Sequence, residues 1–374
     1  MIPNNKKIAI LHPFLTKKWW AMKMMIYLSQ CLSQNNNNIV FYTFSYNDKL
    51  FSKTENSFDI KYFKNSKIIS FFKIAYSIRK FDYVFIWNSP MHFVWIVSKI
   101  LFWFKWKIIW WHHHYPWYYS KNANVYTKLK RFIEKVFIWY IDFMIVNSGY
   151  LQKSIKNIYN INSKILYPIL DKEFLEYNIE KNLPSKEKVL FTCSRWDDGK
   201  NIELVFKTYI SLKEKIPNLV LKIAWEWLEL QNIKNKYKYN YFDTKKYKHK
   251  YNLEKDISFL WYVNKQQIIE NLKNSNLFLF PSKIDSFWIV VLESMSIWRP
   301  VISLNKGWVG EIIKNWVNWF LVESEQEFIN KTYSLLTNNE LLNKFWTEAK
   351  KTATTYNNRY FKENLSKLLT FIQN

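Results

Sequence analysis

Short apolar runs alternate along this chain with longer stretches whose apolar residues recur at helical spacing. In the first half, Ile8 to Leu11, Ile39 to Phe44, Tyr83 to Ile86 and Ile108 to Trp111 read as buried strands, and Ala21 to Gln34 carries the pattern of a helix. A helix after Thr127, a strand from Phe143 to Val146 and a helix after Gly149 continue the alternation, which ends at Ile165 to Tyr167 before Pro168. The rhythm restarts with a strand from Val189 to Cys193 and a helix from Asn201, then strands at Val220 to Ala224 and Ile257 to Leu260. A helix from Lys265 to Asn274, a strand from Leu277 to Phe280, a helix from Ile289 and a strand from Val301 to Leu304 follow. Each such round predicts a parallel sheet covered by helices. Two rounds predict an α/β protein of two Rossmann-like, doubly wound domains.

The charged stretch Asp171 to Lys188, which contains Pro184, is the expected linker. It divides residues 1–170 from 189–350, and the helical tail is expected to send 351–374 back onto the first domain. A length of 374 residues suits two cores, and an apolar content of 49% is enough to fill them. No solenoid-like repeat is visible.

Charge adds a choice of partners. A formal charge of +25 attracts nucleic acid, an anionic membrane surface or an anionic substrate alike, and scattered lysines can also simply solvate a surface. The densest cluster, Lys234 to Lys250, reads as an exposed basic loop or helix. Cys31 and Cys193 form neither a disulfide framework nor a metal-ligand spacing, which fits a reducing compartment. Met1 to Leu11 lacks the apolar core of a signal peptide, and Lys99, Lys105 and Lys107 interrupt the most apolar stretch, Met91 to Ile109. The expectation is a cytoplasmic protein, able to lie peripherally at the inner face of the membrane.

The composition has one anomaly: 4 glycines against 20 tryptophans, where average usage would put glycine near 7%. Tryptophan stands where glycine is ordinarily needed. Trp298 follows a helical pattern and precedes Arg299-Pro300 and a strand, the place of a left-handed helix stop. Asn315-Trp316 and Asn318-Trp319 occupy the place of Asn-Gly turns. Trp19-Trp20 and Trp225-Glu226-Trp227 lie in strand-to-helix loops. We read these, with Trp87, Trp95, Trp103, Trp106, Trp261, Trp288, Trp308 and Trp346, as UGA codons that the organism decodes as glycine. Trp110, Trp111, Trp117, Trp139 and Trp196 sit among aromatics or in motifs that accept tryptophan and read as genuine. The competing reading makes the tryptophans stacking platforms for bases or sugars.

Candidate chemistry lies at strand ends. Ser194-Arg195-Trp196-Asp197-Asp198-Gly199-Lys200 puts two cations after a strand and next to a helix start, a setting suited to a diphosphate; a surface ion pair with Asp197 or Asp198 is the alternative. Asp285 and Glu293 are spaced across a loop and the helix that follows. His112-His113-His114 cannot all face one ion from a strand, because successive side chains alternate faces.

Taken together, these motifs resemble family 4 retaining glycosyltransferases of the GT-B fold, over nearly the whole chain and most strongly from Leu190 to Val322. The resemblance implies two Rossmann-like domains facing a cleft. It implies that Arg195 and Lys200 bind the donor diphosphate, that Glu293 holds the ribose, and that Asp285, where the family has Glu, faces the donor sugar. It places a histidine at the end of this strand over that sugar, His113 by its spacing after Lys107 to Trp110 with its neighbours His112 and His114 as alternatives, and gives Trp19, Trp20 and Trp288 the places of donor-loop glycines. The implied reaction moves a sugar from a UDP-, GDP- or similar nucleotide-sugar to a glycan or lipid-linked acceptor with retention, with no metal, no cofactor and no specific nucleic acid. The contrasting class is a basic, aromatic-rich binding protein for single-stranded nucleic acid or anionic lipid. A pyridoxal-phosphate-dependent phosphorylase is disfavoured, since no motif for the cofactor lysine is seen.

Overall fold

The computed structural model describes residues 4–16, 20–47, 58–63, 67–87, 91, 94, 97–99, 101, 107–113, 125–177, 187–194, 198–225, 256–284, 287, 289–315 and 317–373. The chain divides into two compact units, one of Met1–Ile169 with Asn358–Asn374 and one of Leu170–Asn357.

In the first unit, β1 (Lys7–Leu11), β3 (Asn38–Thr43), β5 (Asp59–Tyr62), β6 (Tyr83–Ile86), β7 (Lys107–His112), β8 (Phe143–Val146) and β9 (Lys164–Ile165) form a sheet in the order β5-β3-β1-β6-β7-β8-β9. Every pairing in it is parallel. Two short strands, β2 (Phe14–Leu15) and β4 (Ser45–Tyr46), pair beside it. Parallel strands are buried on both faces, which is why they read as unbroken apolar runs. On one face, α1 (Trp20–Ser33) and the last helix of the chain, Asn358–Gln373, pack against Ile8, Ile10 and Phe85; the latter helix buries Phe361, Leu365, Leu369 and Ile372 there. On the other face, α2 (Lys67–Ile78), α3 (Val125–Phe137) and α4 (Gly149–Tyr159) pack against Ala9, Val84 and Ile108.

The second unit starts with a short helix, α5 (Lys172–Leu175), inside the stretch read as linker. Its sheet consists of β10 (Lys188–Cys193), β11 (Leu219–Trp225), β12 (Ile257–Tyr262), β13 (Leu277–Phe280), β14 (Val301–Leu304) and β15 (Phe320–Val322), in the order β12-β11-β10-β13-β14-β15. All of its pairings are parallel too. Its helices are α6 (Ile202–Lys213), α7 (Lys265–Lys273), α8 (Ile289–Ser296), α9 (Glu325–Thr337) and α10 (Asn339–Thr355); the terminal helix of the first unit is α11. The periodic tail from Glu340 is thus two helices. They break at Tyr356–Asn357, where the chain returns to the first unit.

Candidate functional site

In an open α/β sheet, ligands bind beyond the carboxyl ends of the strands, where the strand order reverses. In the second unit that point falls between β10 and β13, because the chain runs outward from β10 to β11 and β12 and then returns to β13 on its other side. The two candidate motifs leave from these two strands. β10 ends at Cys193, just before Ser194 and the cationic motif, and β13 ends at Phe280, just before the loop that leads to α8.

The strand pair is fixed by the Thr192 hydroxyl, which donates to the Leu279 carbonyl at 2.9 Å. The two loops are tied above it. The Lys283 amide donates to the Gly199 carbonyl at 2.8 Å, and the Ser282 hydroxyl donates to the same oxygen at 3.2 Å. Gly199 lies in a one-turn 3-10 helix, Asp198–Lys200, and Asn201 then takes a left-handed φ of 50° as the N-cap of α6. This turn leaves Lys200 1% exposed. The turn thus sets a buried lysine just beyond the end of β10. Glu293 lies on α8, half-buried, one face of that helix being filled by Val290, Val291, Leu292 and Met295. Arg195, Asp285 and Trp288 lie outside the described residues.

In the first unit the corresponding reversal is between β1 and β6. β7, the next strand, ends at His112, and His113 follows it, 1% exposed. The Trp87 ring, just past the end of β6, stacks on the His113 ring at a centroid distance of 3.8 Å and also tilts against Trp111 at 4.5 Å. His113 is therefore at the expected strand end but covered by an indole. Trp20 begins α1, and Trp19 lies outside the described residues, as do His114 and the basic stretch Lys234 to Lys250.

The tryptophans that can be placed fall into two groups. Trp298 adopts a φ of 58°. It closes α8: the Arg299 amide donates to Ser294 O at 2.9 Å and the Trp298 amide to Met295 O at 3.2 Å, the paired bonds of a Schellman helix stop whose left-handed residue is ordinarily glycine. Arg299, fully buried, then reaches the carbonyl end of α7, its Nε donating to Leu272 O at 2.9 Å and its Nη2 to Lys273 O at 2.5 Å. Burial lowers the Arg299 pKa to about 10. Trp87, Trp308, Trp319 and Trp346 form the second group, each nearly inaccessible and each with an indole N–H that meets no acceptor. Trp319 does not share the positive φ expected of an Asn-Gly turn; among the described tryptophans only Trp298 does. Trp111, read as genuine, also has an orphaned N–H, so that feature alone does not separate the positions read as glycine from those read as genuine tryptophan. Trp308 stacks on Phe287 at 4.3 Å, inside the segment between Asp285 and Glu293. At Trp225 the pairing of β11 with β12 shifts register, the kind of irregularity that glycine often marks.

Comparison with known proteins gives these observations a class. Residues 174–352 match the family described as "Glycosyl transferases group 1", a span that contains both the cationic motif and the Asp285 to Glu293 segment. The fold is that of GT-B glycosyltransferases. The crystal structure of Anabaena HepE in complex with UDP and glucose superposes with a TM-score of 0.77 at 14% identity, over 98% of this chain and 100% of that one. The glycosyltransferase WaaG, involved in lipopolysaccharide biosynthesis, superposes with a TM-score of 0.71 at 12% identity, over 97% and 99% of the two chains. A sequence relative, the alpha-1,3/1,6-mannosyltransferase ALG2 of Mus musculus, is 24% identical over 239 residues, or 57% of this chain. The match spans 55% of that relative's length.

Proposed function

We propose that this protein is a glycosyltransferase that moves a sugar from a nucleoside diphosphate donor, UDP-, GDP- or similar, to a glycan or lipid-linked acceptor with retention of the anomeric configuration. The observation that carries the reading is the pair of tied loops at the reversal point of the second sheet, with Lys200 buried at its base. A sugar leaving a diphosphate transfers negative charge to the leaving oxygen, and preorganised cations at that position stabilise the transition state more than the ground state. Lys200 and Arg195 take that role, which removes the need for a metal. Glu293 accepts hydrogen bonds from the ribose hydroxyls, Asp285 orients the donor sugar, and His113 is the histidine assigned to that sugar. The acceptor binds mainly to the first unit, at the cytoplasmic face of the membrane. Proton NMR of the product tests the stereochemistry: the donor's own anomer is expected, and the opposite anomer overturns the assignment.

The same proposal holds that glycine replaces tryptophan in the native protein at the recoded positions. Support comes from Trp298, where an L side chain occupies left-handed backbone at a cost of about 1–2 kcal/mol. It comes also from Trp87, whose indole covers the histidine that must reach the sugar. Glycine at 87 uncovers His113, and glycine at 308 frees the space under Phe287. Peptide mass spectrometry of protein isolated from its own organism decides this position by position. Glycine at residue 298 is expected, and tryptophan there removes the recoding.

A further inference from the structure

The polarity of α3 (Val125–Phe137) is the reverse of that of an ordinary surface helix. Val125, Leu129, Phe132 and Val136 are 81%, 56%, 67% and 45% exposed, while the helix's only carboxylate, Glu134, is 4% exposed. At roughly 100° per residue the four apolar side chains fall within an arc of about 60°, and Glu134 lies about 170° from its centre. The stripe therefore points straight away from the sheet. Lys128 and Lys135, both exposed, border it on one side. The following turn, Ile138–Tyr140, buries Ile138 and leaves Trp139 68% exposed, extending the apolar surface with an indole. A second helix on the same side of the sheet, α2, packs Ile74, Ala75 and Ile78 into the core that receives Ile133 of α3. It too presents apolar side chains outward, Ile69 and Phe72, 50% and 48% exposed, beside the exposed Lys73.

We propose that this face of the first unit is a membrane-docking surface, with α3 lying in the headgroup layer of an anionic bilayer. An interfacial helix needs an outward apolar stripe, flanking cations and no outward acid, and α3 has all three. Charge chooses between the possible occupants. Lys128 and Lys135 border the stripe while the helix's one acid is turned inward, so a second copy of the same face would set cations against cations. Anionic headgroups meet the lysines while acyl chains take up Leu129 and Phe132, and tryptophan is the residue favoured at that boundary. The inference deepens the membrane-side element of the function proposed above by assigning it to particular residues, and it makes the bilayer that carries a lipid-linked acceptor a binding partner in its own right.

The test is co-sedimentation of the full chain with vesicles of phosphatidylglycerol and phosphatidylcholine, compared with phosphatidylcholine alone, without sugar donor or acceptor, so that the outcome does not depend on glycosyl transfer. Binding is expected only with the anionic vesicles, weakened by salt. Phe132→Asp, and separately Lys128→Glu with Lys135→Glu, are expected to lower it by about tenfold or more, since the bound state relies on both apolar insertion and charge. All three side chains are exposed, so the unfolding temperature should stay that of the parent, which separates lost docking from lost fold. Failure of the parent chain to sediment, or sedimentation unchanged by both variants, overturns the proposal. So does a dimer in light scattering that Phe132→Asp dissociates, since it would make a second copy the occupant.

Discussion

Replacing Trp298 by glycine and by alanine, in protein made with the printed sequence, isolates the backbone from the ring. Both variants remove the indole and whatever it contacts, so their difference reports on Cβ alone. At a φ of 58°, Cβ crowds the carbonyl oxygen and costs about 1–2 kcal/mol. Glycine loses more backbone freedom on folding, which offsets roughly 0.5–1 kcal/mol of that gain. Glycine should therefore leave the second unit more stable than alanine by about 1 kcal/mol, or about 2–4 °C in its unfolding temperature for a unit of this size. The paired control is Lys351, exposed on α10, where the order should invert, glycine falling about 1 kcal/mol below alanine. Denaturant unfolding followed by far-UV circular dichroism reads both pairs. If Trp298→Ala proves as stable as Trp298→Gly while the Lys351 pair behaves as expected, residue 298 does not need left-handed backbone, and the physical argument for glycine at that helix stop fails.

Other substitutions probe the remaining parts. Trp87→Gly should expose the imidazole of His113, now stacked at 3.8 Å, so that its modification by diethyl pyrocarbonate accelerates; an unchanged rate would mean the indole is not the cover. Lys350 donates from its ammonium to Ser296 O at 2.7 Å, at the carbonyl end of α8, and to the carbonyls of Leu175 and Tyr177 at 3.3 Å. Lys350→Met should cost about 2–3 kcal/mol in denaturant unfolding, as expected for bonds from a charged donor, and a cost near zero would remove this tie between α10, α8 and α5. Burial pushes the Tyr42 hydroxyl up to about 12, whereas an unfolded tyrosine ionises near pH 10. The folded state thus holds the proton more tightly, and stability should fall as pH rises from about 10 to 12. Tyr42→Phe should lack that part of the alkaline loss, and parallel curves for the two proteins would contradict it.

Most of the architecture was legible because parallel strands, buried on both faces, leave unbroken apolar runs, and Leu277–Phe280, Phe143–Val146 and Val301–Leu304 were read at their observed bounds. β5 and α2 were not read. β5 is an edge strand, Asp59–Tyr62, with mostly exposed side chains and only partial apolar character, and α2 has apolar residues on its outer as well as its inner side, which blurs helical periodicity. The same blur hid the outward apolar stripe on α3, since exposure cannot be told from burial when both sides of a helix carry apolar residues. The motif at Arg195 to Lys200 could be located from spacing and strand order. The tie of Ser282 and Lys283 to Gly199 could not, because it depends on how two loops distant in sequence settle over one strand pair. Trp87 was read as a misplaced glycine from the sequence, but that it lies on His113 needed coordinates.

The reversal point of the second sheet is the centre of this account, and calorimetric titration with UDP and GDP addresses it most directly, on protein with glycine placed at the positions proposed to be recoded. The account predicts saturable binding of one of the two nucleotides, weakened at least about tenfold by Lys200→Ala and by Glu293→Ala, as loss of a charge-assisted contact requires. Binding of neither nucleotide, or binding that both variants leave intact and that single-stranded DNA displaces equally well, would contradict it and favour the polyanion-binding class.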